Sequence, residues 1–112
     1  MTNPGALLLT TAPSVDGYRV ARNLGIVRGI VVRSPGLARG ILGGLKSLFQ
    51  GNISQFEDLC EAARAQASER MVSHAQQLGA NAIINMRYDA TEFSQGITEV
   101  LAYGTAVQLA AE

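Results

Sequence analysis

The sequence predicts an α+β domain in which one long helix lies across an antiparallel sheet, in the order strand, helix, strand, strand. Three observations predict it. Residues 54–78 repeat small and apolar side chains at helical spacing, and residues 18–33 are rich in strand-forming residues with a period near two. Two further β-rich segments, Ala82–Tyr88 and Val100–Leu109, follow the helix and are joined by a short polar stretch, which favours antiparallel pairing. The chain, residues 1–112, is a single domain, because two cores of half this size would each be too small to hold together.

Taken in order, Leu7-Leu8-Leu9-Thr10-Thr11 is a short strand stopped by Pro13. Val15-Asp16-Gly17 is a turn in which Gly17 is free to take a positive φ. From Tyr18 to Arg33 the pattern is that of a long strand: Val20, Leu24, Ile26, Ile30 and Val32 fall on one parity, Arg19, Asn23 and Arg33 on the other. Gly25 and Gly29 interrupt it, and an internal glycine marks a bulge, a bend or a close backbone approach. Two strands meeting at a kink near Gly25 therefore stand beside one continuous strand.

Ser34-Pro35-Gly36 breaks the strand, and Leu37, Ile41, Leu42, Leu45, Leu48 and Phe49 form a helical stripe. Gly40, Gly43 and Gly44 each cost up to ~1 kcal/mol of helix propensity, so Leu37–Phe49 needs a neighbour. Arg39 and Lys46 give it a membrane-surface reading, although two cations fall short of the two signals that stable anchoring takes. After Gln50-Gly51-Asn52, Ser54-x-x-Glu57 has the spacing of a capping box. Phe56, Leu59, Cys60, Ala63, Ala67, Met71, Ala75 and Leu78 then share one helical face, and Glu61, Arg64, Gln66, Glu69, Arg70, Ser73 and Gln77 the other. Gly79 supplies the stop, giving a helix of about two dozen residues and ~36 Å. Asp89-Ala90-Thr91-Glu92-Phe93-Ser94-Gln95-Gly96 reads as the loop between the last two strands.

An apolar content of 47% against 16% charged residues is globular composition. So few charges on so small a domain point to an oligomer that hides part of its apolar surface. The overall charge is zero but divided: residues 1–52 set six cations against Asp16, a net of +5, and residues 53–112 carry the compensating −5. The basic strand region and the acidic helix are expected to complement each other, within or between subunits. Nucleic acid is not an expected partner, because binding it calls for aromatics among the cations and the basic half has only Tyr18 and Phe49. A lone Cys60 excludes an intramolecular disulfide, Ala6–Leu9 is too short for a signal core, and the cytoplasm is the expected compartment.

A soft-metal site needs two or more thiolate or imidazole ligands around one ion. The candidates are Cys60 and His74, with Met1, Met71 and Met86 as weak donors. Cys60 and His74 are separated by ~21 Å along one helix, so they cannot share an ion within a subunit. Cys60 on an apolar face is expected in the core, and His74 on the helix border is expected to face solvent or a partner. Asp89 and Glu92 are a pair of acids on a turn, and Tyr88 and Tyr103 a cross-strand pair. Gly40-x-x-Gly43-Gly44 lacks the preceding strand and the Lys-Ser/Thr ending of a phosphate loop, and no serine sits in a nucleophile elbow. No catalytic, cofactor-binding or metal-binding residue is assigned, and an enzyme is not expected.

Thr10-Thr11-x-Pro13 with Gly17, then Gly25-Ile26-Val27-x-Gly29, then Glu57, Ala63-Arg64, Ala67 and Met71 on the long helix form an ordered set of features. Gly79-Ala80-Asn81-Ala82-Ile83 and Tyr103-Gly104-Thr105-Ala106-Val107 close it and are its most specific members. Together they resemble the YbjQ-type family of putative heavy-metal-binding proteins, over nearly the whole chain and least at residues 34–52. The resemblance implies a β-α-β-β subunit in a homopentameric ring, with short accessory strands helping subunits join. On that basis the N-terminal strand is expected to pair with a neighbour's sheet edge. The activity of the family is essentially unassigned. The expectation is therefore a non-catalytic, oligomeric binding or scaffold domain; the alternative is a protein that binds a small ligand, a metal or an anion, including a membrane surface.

Overall fold

The computed structural model describes residues 6–33, 53–94 and 97–112. Four strands and one helix follow in the order β1 (Leu8–Leu9), β2 (Tyr18–Arg33), α1 (Ile53–Gln77), β3 (Ala82–Ser94) and β4 (Ile97–Ala111). The strands form one sheet in the order β1-β3-β4-β2. The Leu37–Phe49 stripe, with Arg39 and Lys46, lies outside the described residues.

The sheet is mixed, not antiparallel throughout. β2 and β3 both run antiparallel to β4, whereas β1 pairs in parallel with β3, Leu8 opposite Ala82 and Leu9 opposite Ile83. The N-terminal strand thus pairs within its own subunit on the β3 side and forms one edge of the sheet. The Leu8 amide donates to the Asn81 carbonyl and the Thr10 amide to that of Ile83, at 3.1 and 3.0 Å. The segment beyond β1 then closes over a bulge in β3, where Asn85 has a φ of 54°. The amides freed by that bulge, Asn85 and Met86, donate to the Ala12 and Thr10 carbonyls at 3.0 Å each.

β2 is one continuous strand. Its register against β4 slips between Val20 and Arg22 and again between Asn23 and Gly25, where Gly25 adopts a φ of 103° that only glycine takes without strain. The glycine near the predicted kink is therefore a bulge. Beyond it, the aliphatic parity is not the one that meets the helix: Val27 and Val31 are buried, whereas Ile26, Ile30 and Val32 are 76%, 37% and 50% exposed. The inward side carries the smaller residues because α1 lies almost directly on the strand. A Cβ at Gly29 would overlap the Ala67 carbonyl oxygen and come within 2.5 Å of the Met71 amide nitrogen.

α1 reaches the sheet along the ridge Ala63, Ala67, Met71 and Ala75, all buried. This i, i+4 ridge is inclined to the helix axis. Cys60, three residues before Ala63, falls off it and is exposed, contrary to the core position expected of it. Leu78, at the far end of the predicted stripe, is also exposed. Met71 is fully buried among Val27, Val31, Ile83, Met86, Ala102 and Ala106, which make the layer between helix and sheet. α1 stops at Gly79, whose φ of 81° turns the chain into β3.

The C-terminal hairpin is longer than expected. Asp89 and Glu92 belong to β3, opposite Leu101 and Thr98, so they lie in a strand and not in a loop. The Asn85 bulge also shifts the face alternation, so that Arg87 faces Tyr103 and Tyr88 faces Ala102. Tyr88 and Tyr103 consequently occupy opposite faces and are not a cross-strand pair.

Candidate functional site: the open face of the sheet

Cross-strand partners share a face, so the register assigns each side chain to one of two surfaces. The helix takes the face of Val27, Gly29, Val31, Ala102 and Ala106. Among the described residues the other face is covered only at its β1–β3 side, where Val15 packs with Ala82, Ile84, Val107 and Leu109, and toward β2 they leave it open. The side chains there stand in four rows that cross β3, β4 and β2: Ile84–Thr105–Ile26, Arg87–Tyr103–Arg28, Asp89–Leu101–Ile30 and Thr91–Glu99–Val32. Ile26, Ile30, Val32 and Tyr103 are all exposed.

One member of this face is held from behind. The Arg87 guanidinium donates from Nη1 to the Thr11 carbonyl at 2.9 Å and to the Met86 carbonyl at 2.8 Å. The N-terminal segment thereby fixes the Arg87 side chain beside Tyr103. Arg28, on the other side of Tyr103, is exposed on β2. The sequence missed this surface because Arg28, Arg87 and Tyr103 are far apart along the chain. The available signal was the continued aliphatic character of both parities in β2, which implies two apolar faces.

The other candidates do not converge on a site. The His74 Nδ1 accepts from the Arg28 amide at 3.5 Å, and Arg70 Nη1 donates to the Ile30 carbonyl at 2.6 Å. Both contacts join α1 to the outer edge of β2. Arg64 lies over the Tyr88 ring at 5.7 Å, beside a small cavity of about 110 Å³ lined also by Asp89, Ala90 and Val100. The described helix cations thus meet backbone and ring, and not a partner charge. Asp89 and Glu92 sit on opposite faces and cannot share a proton or an ion. Among the described residues no three His, Cys, Asp or Glu side chains come together in a way that would hold a metal. None of the helices described is long and apolar enough to cross a membrane.

The signature residues serve the fold. The Asn81 side chain accepts from the Leu109 amide at 2.7 Å and donates to the Leu109 carbonyl at 3.0 Å, standing in for a strand neighbour at the end of β4. Gln108 donates to the Gly79 carbonyl. A Cβ at Gly104 would press on Ile83 Cγ2 at 2.6 Å and on the Ile84 carbonyl at 3.1 Å, beside the Asn85 bulge.

Among the described residues these features define a class: a small α+β domain with a long helix on a mixed sheet, built around a close helix–strand contact at glycine. Within it, residues 7–110 match the YbjQ-type family model described as "Putative heavy-metal-binding", and the chain belongs to that family. It is 59% identical over 101 residues to a UPF0145 protein of Solibacter usitatus, covering 90% of each chain. It is 58% identical over 104 residues to a UPF0145 protein of Chromobacterium violaceum, covering 93% of this chain and 89% of the relative. A crystal structure of a DUF74-family protein of unknown function from Pediococcus pentosaceus superposes with a TM-score of 0.60 at 15% identity, over 93% of this chain and 98% of that one. At that identity the likeness extends to the fold alone.

Proposed function

We propose that the protein is a non-catalytic, self-assembling module, a binding or scaffold domain of the cytoplasm whose copies dock through the open sheet face. The observation that carries this reading is the exposure of Ile26, Ile30 and Val32 on one strand, next to Leu101 and Tyr103. Aliphatic side chains return roughly 25 cal/mol per Å² when they leave water, and the described residues offer these no partner. A ring of five copies is the arrangement that the family resemblance implies, and the low charge content supports burial of this kind. The metal binding in the family's description finds no donor set among the described residues and forms no part of the proposal. An anion-binding strand region is the second reading, favoured by Arg28 and Arg87 on one row. Asp89 and Glu99 on the neighbouring rows weigh against it.

The test is native mass spectrometry with sedimentation equilibrium at micromolar concentration, on wild type and on Ile26→Lys. The wild type is expected to assemble. Ile26→Lys should be largely monomeric while costing the fold no more than about 1 kcal/mol, since the side chain is already exposed. A wild-type chain that stays monomeric at that concentration would overturn the proposal.

A further inference from the structure

The long strand β2 lies at an outer edge of the sheet, with β4 as its strand neighbour. Its Arg28 amide and Ile30 carbonyl are bonded by α1, so the alternation of an antiparallel ladder turns the backbone groups of Ile26, Arg28, Ile30 and Val32 away from β4. A long edge rich in β-branched residues is a template on which an extended segment of another polypeptide can add as a further strand. α1 meets two successive outward positions of this edge. The His74 Nδ1 accepts from the Arg28 amide at 3.5 Å, and Arg70 Nη1 donates to the Ile30 carbonyl at 2.6 Å. The spacings match because α1 runs against β2, four residues of helix rise ~6 Å, and two residues of strand ~6.7 Å. Gly29 makes the reach possible. A Cβ there would come within 2.9 Å of Arg70 Cβ, so the bare glycine lets this side chain pass over β2 to its edge.

The opposite side of the sheet is treated alike with unrelated residues. Carried across β4, the same alternation turns Ala90 of β3 outward, and its amide donates to Asp89 Oδ1 at 3.0 Å. Nearer the bulge, the Asn85 and Met86 amides donate to the segment beyond β1. We infer that Arg70 and His74 are an edge guard: they occupy backbone groups that a strand partner would take and hold the middle of the β2 edge closed to strand addition. An adding strand bonds at every second residue, so two consecutive occupied positions interrupt it where β2 is most aliphatic. The inference concerns the edge and not the open face, and it stands independently of the self-assembly reading.

Three variants test it. Arg70→Ala with His74→Ala opens the edge, Arg70→Lys with His74→Asn keeps a donor and an acceptor at the same two places, and Arg64→Ala takes an arginine from the same helix where it lies over Tyr88. Each is held at the same interval below its own melting temperature. Growth of intermolecular β-structure is followed with an amyloid dye and by infrared absorption, and soluble assembly is read separately by sedimentation. The open-edge variant is expected to aggregate about tenfold faster than wild type or more, with the other two within about threefold of it. Amide exchange gives a reading that does not depend on the double change folding: the Arg28 amide should lose about fivefold of its protection in His74→Ala and none in Arg64→Ala. An open-edge variant no faster than Arg64→Ala would overturn the guard. So would Arg70→Lys/His74→Asn aggregating as fast as the open-edge variant, or an Arg28 amide unchanged in His74→Ala.

Discussion

Gly29→Ala is the most demanding perturbation this fold offers. The added methyl would overlap the Ala67 carbonyl oxygen, approach the Met71 amide nitrogen to 2.5 Å and meet Arg70 Cβ at 2.9 Å. Ordinary contact for such pairs is about 3.5 Å, so α1 must retreat by roughly 1.5 Å at the Ala67 carbonyl. Two of the three obstacles are backbone atoms, so no rotamer change relieves them. Overpacking of this kind costs typically 1–3 kcal/mol, and a whole helix lifted from Val27 and Val31 belongs at the upper end, about 3 kcal/mol. For a domain of this size that is a fall in melting temperature of roughly 12 °C. The assay is urea and thermal unfolding at fixed protein concentration, because assembly makes apparent stability depend on concentration. Gly25→Ala is the control. It meets nothing within 4 Å but must hold a φ of 103°, so it reports backbone strain alone, about 1–2 kcal/mol. A Gly29→Ala protein within about 1 kcal/mol of wild type, or no worse than Gly25→Ala, would refute the close helix–strand contact.

Asn81→Ala removes a donor and an acceptor from the Leu109 backbone and should cost about 1–2 kcal/mol in urea unfolding, with fraying of the β4 end seen in amide exchange. Asn81→Asp keeps the acceptor and should recover part of that; equal losses for both would show that the amide pairing does not matter. Titration with Zn²⁺ or Cd²⁺ followed calorimetrically is expected to give the same weak isotherm for wild type and Cys60→Ser, since the exposed thiol has no second ligand in reach among the described residues. Tight binding lost in Cys60→Ser would reverse that conclusion.

The helix and the strands were legible because their periods are regular over many residues. What escaped the sequence came from single-residue insertions. Two irregularities in β2, at Val20/Arg22 and Asn23/Gly25, invert only the short stretch between them and leave Val20 and Ile26 on one face, whereas one at Asn85 sends Tyr88 and Tyr103 to opposite faces. A bulge leaves no mark on composition, yet it inverts every side chain beyond it. An apolar stripe read on a helical wheel is straight and includes Cys60, whereas the buried ridge through Ala63, Ala67, Met71 and Ala75 runs at an angle to the helix axis and does not. The open face was hidden because its rows join residues from three strands, which no local pattern contains. The tail motif, by contrast, has visible structural contacts: Gly79, Asn81 and Gly104 each answer to a particular turn, amide pair or close approach.

The strand order carries a consequence for how the chain is made. β2 pairs with β4, Tyr18 reaching Ala111, and β1 pairs with β3, Leu8 reaching Ala82. Neither N-terminal strand has its partner until the C-terminal hairpin has been synthesised, and closing such long intervals is slow because the loop entropy is lost before any contact compensates for it. On a translating ribosome β2 would wait with Ile26, Ile30 and Val32 unpaired on a bare strand while α1 emerges. The residues exposed on the finished sheet are then a hazard in the nascent chain. Arg28 and Arg33, set among those aliphatics, interrupt the run with charge and act as gatekeepers during that interval.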